Sequence, residues 1–133
     1  MLEKLSNGLK LVIEKDGRTV FRSGDSGVKP IIDSIALHRE EMNGATAIDS
    51  IVGLAAAKLF AYAGIKAVHG KTMSKGAYSF LKEKGITAFF EELVEEIMNK
   101  DKTDLCPFEK MSKEADGEEL CKKIKQKIYK KNK

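Results

Sequence analysis

The amino-acid sequence predicts an α/β protein, a three-layer α/β/α sandwich whose mixed sheet starts with a hairpin and continues in parallel βαβ units. Three observations carry this expectation. Short apolar runs flank Asp16-Gly17, a dipeptide that supplies both left-handed positions of a two-residue hairpin turn. Three further short runs, at 45–48, 65–69 and 87–90, alternate with segments of helical period, the pattern of strands joined by crossover helices. The chain has 133 residues, 42% of them apolar and 33% charged, with two Pro and no Trp. That is one domain, large enough to bury a core without cross-links.

The hairpin strands are expected over 9–14 and 19–22. Ser23-Gly-Asp-Ser-Gly27 is a turn-rich loop, and Pro30 suits the first turn of a helix, where its missing N–H leaves no bond unmade. Ile31, Ile32, Ile35, Ala36 and Leu37 continue at helical spacing to about residue 40. The strand at 45–48 ends at Asp49. Helix two spans 51–61, and Gly64 stops it by accepting a left-handed conformation. After the strand at 65–69, Ser74 is an N-cap. Tyr78, Phe80 and Leu81 form the buried side of helix three, which Gly85 ends. Beyond the strand at 87–90, Leu93, Val94, Ile97 and Met98 make one face of a helix whose other face carries Glu91, Glu92, Glu95 and Glu96. Residues 99–105 read as a polar loop. Pro107 opens a short helix. A terminal helix over 118–129 puts Leu120, Ile124 and Ile128 on one side, with Glu118–Lys122 and Glu119–Lys123 in the favourable i,i+4 order.

Charge and cysteine content narrow the function classes. The net charge is +4, but the last twelve residues hold seven Lys and no acid, and removing them leaves the rest at −3. The basic balance therefore belongs to a tail, expected as a solvated, frayed helix end. With 21 Lys against three Arg, no interleaved aromatics on the tail and no recognition motif, nucleic acid is not the expected partner. An acidic protein partner for the tail is the interaction alternative. The longest apolar stretch, 51–65, is broken by Lys58 and is shorter than the roughly 20 residues of a membrane span. The first residues lack the apolar segment of a signal peptide. A cytoplasmic chain with two free thiols, Cys106 and Cys121, is the expectation. Together with His38 and His69 these show no metal-ligand spacing, so neither metal nor cofactor is expected. Small α/β proteins of this kind often pair, which makes a homodimer the default guess.

In an open α/β sheet, ligands sit at the carboxyl ends of the strands. Asp49 and His69 each end an expected strand just before a helix start. Asp49-Ser50 is either a plain N-cap or part of a site, and His69 either a satisfied strand-end histidine or a functional one. Helix starts near Ser50 and Ser74 favour an anionic group such as phosphate. Gly53 either admits a ligand or another backbone, or relieves crowding against the sheet. Ser26, Gly27 and Lys29 form a phosphate cradle or a plain turn before Pro30; the Gly-Lys-Ser/Thr order of a P-loop is missing. In Cys106-Pro-Phe-Glu109-Lys110, a thiol at a helix start is displaced toward thiolate, and Glu109 is an acid/base candidate. An enzyme or sulfur carrier would use Cys106 as nucleophile with Glu109 or Asp49 as proton shuttle. The alternative is a structural Cys with a helix-capping Glu. Nothing places His69 near Cys106, so no Cys-His pair is assigned.

Taken in order, Leu11-Val-Ile-Glu-Lys-Asp-Gly17, Ser26-Gly-Val-Lys-Pro30, Asp49-x-x-Val-Gly53-x-Ala-Ala-Ala57, Met73-Ser74, Gly85-Ile86, Ile97-Met-Asn-Lys-Asp101 and Cys106-Pro-Phe-Glu-Lys110 resemble the prokaryotic family called domain of unknown function 1893, over about residues 9–112. The Lys-rich helix over 118–133 lies beyond that span. The resemblance implies a cytidine-deaminase-like fold. It does not imply deamination, because zinc deaminases need a His or Cys and a Glu at the start of helix two and Pro-Cys-x-x-Cys at helix three. Here those starts read Asp49-Ser-Ile-Val and Thr72-Met-Ser-Lys. The family pattern carries Lys after the Asp and a basic residue after the Gly; this chain has Ser50 and Leu54, with Lys58 one turn on. What the fold analogy leaves is a pocket lined by Asp49, Ser50, Gly53, Met73 and Ser74, expected to take a nucleotide-like or phosphorylated ligand.

Overall fold

β1 (Leu11–Lys15) and β2 (Arg18–Ser23) pair antiparallel across Asp16-Gly17. Both turn residues are left-handed, with φ of 52° and 80°, so the turn twist matches the strand twist. The structure, a computed structural model, describes residues 1–98 and 106–129. After a 3-10 turn at Leu2–Lys4 and the hairpin come α1 (Lys29–Met42), β3 (Thr46–Val52), α2 (Leu54–Ala63), β4 (Ala67–Ser74), α3 (Lys75–Glu83), β5 (Thr87–Val94), α4 (Pro107–Ser112) and α5 (Gly117–Ile128). The sheet order is β2-β1-β3-β4-β5. β1 is antiparallel to β2 and β3, and β3, β4 and β5 are mutually parallel. This is the mixed sheet of an α/β protein, with the expected hairpin followed by parallel units.

The layers follow from which side chains are apolar. Leu11, Ile13, Ala47 and Val68 join Ile31, Ile32, Leu59, Phe60 and Leu81 in one buried cluster between the sheet and α1, α2 and α3. α2 is central: it touches α1 and α3 on its flanks, and α4 and α5 pack on it from outside. On the opposite face, Val12 and Ile48 are buried where the N-terminal 3-10 turn lies on β3 and β4. There Lys4 pairs with Glu14 at 2.7 Å.

Local punctuation falls where expected. Pro30 sits in the first turn of α1, Gly64 caps α2 with φ 84°, and Ser74 caps α3. Three expectations need correction. The parallel strands run on past Asp49, His69 and Phe90 to Val52, Ser74 and Val94, and α2 starts at Leu54 rather than residue 51. Pairing is the reason: β3 and β4 hold one register from Thr46↔Ala67 to Val52↔Met73, and β4 and β5 from Ala67↔Thr87 to Ser74↔Val94, so polar residues are carried along in the ladder. For the same reason Leu93 and Val94 lie in β5, not in a helix, and Ile97 and Met98 are not helical. The loop expected at 99–105 lies outside the described residues. Thirdly, the Lys-rich helix is no appendage. Leu120 and Ile124 are fully buried, and α5 packs on α1 and α2. Its expected ion pairs, Glu118–Lys122 and Glu119–Lys123, stand at 3.5 and 3.6 Å. Among the described residues no helix is long and apolar enough to cross a membrane.

Candidate functional site

Because β1 opposes both neighbours, β2, β3, β4 and β5 all end at one edge of the sheet. A paired row, Ser23–Leu11–Asp49–Gly70–Phe90, crosses it close to that edge. The starts of α1, α2 and α3 follow on the same edge, so topology brings the segments holding Ser26, Gly27, Lys29, Ser50, Gly53, Met73 and Ser74 to one end of the molecule.

The start of α2 is the most built part. Its N-cap is Gly53, which has no side chain to offer the first amides. Glu109, reaching in from α4, does this instead: Leu54 N–H donates to Oε1 at 2.7 Å and Ala55 N–H to Oε2 at 2.9 Å. The carboxylate thus sits on the positive end of the helix. A Cβ on Gly53 would fall 2.5 Å from Oε2 and 2.7 Å from Oε1, so glycine is what leaves the room. Glu109 is 7% exposed. Burial pushes its pKa up, and the two amides and then Lys113 pull against that shift. Ser112 Oγ donates to the Glu109 carbonyl at 2.7 Å, and Lys58 Nζ donates to the carbonyls of Ser112 and Ala115 at 2.5 and 3.3 Å. α4 is therefore clamped to α2 at both ends. The sequence singles out Gly53 and Glu109 separately but not as partners.

Cys106 is the N-cap of the six-residue α4 and is half-buried. Both oxygens of Glu109, three residues on, accept from α2 amides. α3 is closed by its own sequence: Ser74 Oγ accepts from Ala77 N–H at 3.1 Å, and Met73 is fully buried in the core.

Asp49 lies inside β3, three residues before its end, and not at a helix start. It is 2% exposed, and its Oδ2 has no hydrogen-bond partner. Burial pushes its pKa up to about 8, against the pull of the Ser50 and Ile51 amides. At neutral pH it is mostly a protonated acid. The Ser50 amide itself donates to Lys10 O at 3.0 Å. His69 pairs with Ile48 in the sheet and stacks on Phe89, with ring centroids 4.4 Å apart. It lies on the N-terminal face of the sheet, away from Cys106. Burial first, and then the N-terminal amine, lower its pKa.

In the loop before α1, Gly27 takes φ 86°, Asp25 N–H bonds Ser23 Oγ at 3.0 Å, and Ser26 is exposed. Lys29 pairs along its own helix with Asp33 at 3.1 Å and lies 5.4 Å from the Tyr129 ring centroid. Tyr129 also donates to Asp33.

A family model described as a domain of unknown function, DUF1893, matches residues 1–128. The chain belongs to the DUF1893 family. Membership takes in the N-terminal turn and α5, beyond the 9–112 span read from motifs alone. A DUF1893 family protein from Thermotoga maritima, known from its crystal structure, superposes with a TM-score of 0.83 at 31% identity, covering 95% of this chain and 86% of that one. RibD from Acinetobacter baumannii matches with a TM-score of 0.53 at 18% identity, over 68% of this chain and 32% of that one. The diaminohydroxyphosphoribosylaminopyrimidine deaminase/5-amino-6-(5-phosphoribosylamino)uracil reductase of Thermotoga maritima matches at 0.52 and 20%, over 83% and 38%. No curated protein matches. The two enzyme likenesses show a deaminase-like fold for this DUF1893 chain. Zinc deaminases carry their metal ligands at the starts of the helices that correspond to α2 and α3. Here those starts are Gly53-Leu-Ala-Ala and Ser74-Lys-Gly-Ala, with neither imidazole nor thiolate. Among the described residues no group of three His, Cys, Asp or Glu could hold a metal ion. Neither helix start offers a zinc ligand.

Proposed function

We propose that this DUF1893 chain is a non-deaminating, deaminase-like domain that binds a small nucleotide-like or phosphorylated ligand at the starts of α2 and α3. In the ligand's absence, Glu109 holds the anion position on α2. The observation that carries this reading is the seating of a carboxylate, oxygen by oxygen, on the Leu54 and Ala55 amides above Gly53. A phosphoryl group offers those amides the same oxygens with more charge. The buried carboxylate is not held at its ordinary pKa, so its seat on the helix is won against a desolvation cost. A ligand that displaces it would free α4, which makes a regulatory role the natural one for the domain.

Thermal shift of the wild-type protein and the Glu109→Gln variant against nucleotides and sugar phosphates tests this. At least one phosphorylated compound should stabilise the wild type at millimolar concentration, and it should bind Glu109→Gln more tightly because the resident group has lost its charge. Absence of stabilisation in both proteins, or equal affinity in the two, would make the Gly53–Glu109 pair a purely structural clamp.

A further inference from the structure

We infer a second anion site, separate from the α2 start, in the cleft where α2, α3 and the beginning of α5 meet. Its ligand class is a small molecule that joins a phosphate to a flat ring, of nucleoside-monophosphate size. The cleft has a volume of about 330 Å³ and is lined by Lys58, Tyr62, Phe80, Lys84, Asp116 and Gly117, the lower end of the range for small-molecule pockets.

Its charge is unbalanced. The ammonium groups of Lys58 and Lys84 lie 5.8 and 5.5 Å from the centroid of the Phe80 ring. Outside the lining, on α1, Arg39 stacks on Tyr62 at 3.9 Å and donates to its hydroxyl at 3.0 Å and its carbonyl at 3.2 Å. Among the described residues, none of these three cations has a carboxylate within ion-pair distance. The carbonyls that Lys58 bonds orient its ammonium without neutralising it. Two like charges held on one ring repel, and an anion between them removes the repulsion. Phe80 and Tyr62, both half-buried, supply apolar walls for a ring. Asp116, at the rim and exposed, supplies an acceptor for a hydroxyl or amine of the same molecule. Phosphate, ring and hydroxyl then each have a partner.

Amide-resolved NMR titration of the full chain at low salt tests the assignment, using AMP, adenosine and inorganic phosphate as probes. AMP should shift the amides of Lys84 and Gly117, inorganic phosphate should do so more weakly, and adenosine should not. Lys84→Glu should weaken AMP about tenfold. Lys82→Glu, the same charge change two residues away but beside Tyr78, should leave it unchanged. The assignment is overturned if AMP moves nothing at concentrations on the order of 10 mM. It also fails if adenosine binds as well as AMP, or if Lys82→Glu costs as much as Lys84→Glu. Tighter AMP binding in Glu109→Gln with no loss in Lys84→Glu would overturn it and place AMP at the α2 start instead.

Discussion

Asp49→Asn should make the protein more stable and flatten its pH dependence. The wild-type carboxyl is buried in β3 with its pKa raised from 3.8 to about 8, chiefly by desolvation, and no charged group contributes to the shift. A folded state whose acid is held up binds more protons than the unfolded chain between those two values. Stability from this group is therefore full below about pH 4, falls as pH rises, and levels off above about 8. At about 1.4 kcal/mol per pKa unit, the burden is about 2 kcal/mol at pH 5 and about 4 kcal/mol at pH 7. Asn does not ionise and differs from Asp by one atom. Urea unfolding of both proteins at pH 5, 6, 7 and 8 should show the curves diverging as pH rises, with the variant ahead by a few kcal/mol at neutrality. Parallel curves would refute the reasoning and mean that Asp49 finds a charge-stabilising partner when it ionises.

Gly53→Ala should destabilise, although the backbone there is extended, with φ −96° and ψ −176°, and tolerates alanine. The methyl group collides with Glu109, and loss of two charge-assisted hydrogen bonds costs about 2–4 kcal/mol. A denaturation cycle with Glu109→Ala should show the double variant no worse than the poorer single one; additive losses would uncouple the pair. Leu120→Ala should cost about 2–5 kcal/mol in the same assay, because that side chain is fully buried. A cost under about 0.5 kcal/mol, the level of a surface change, would return α5 to the status of a solvated tail.

Local chemistry was legible in the sequence. Asp16-Gly17, Pro30, Gly64, Ser74 and Pro107 all act where their backbone preferences or hydrogen-bonding groups place them. What the sequence concealed is set by tertiary pairing. Leu93, Val94, Ile97 and Met98 have helical spacing, yet Leu93 and Val94 pair with Met73 and Ser74 on β4; strand neighbours outweigh local period. Asp49 and His69 look like punctuation because they are polar, but they sit within ladders that continue past them. At the candidate site, Gly53 and Glu109 stand out individually, but their contact joins two helices far apart in sequence and has no local signature. The four-residue spacing of Leu120 and Ile124 was visible among the tail's seven lysines, but not that α1 and α2 present a surface for that face to pack on.

The central position of α2 bears on how the molecule is made. Once β5 has left the ribosome, the sheet and three helices can assemble, but the outer side of α2 stays bare until α4 and α5 follow. At roughly 5–20 residues per second, the 34 positions from Val94 to Ile128 take roughly 2–7 s to emerge. For that interval the nascent protein carries its most apolar helix half-covered, a window in which chaperones or neighbouring chains compete with α5 for the same surface.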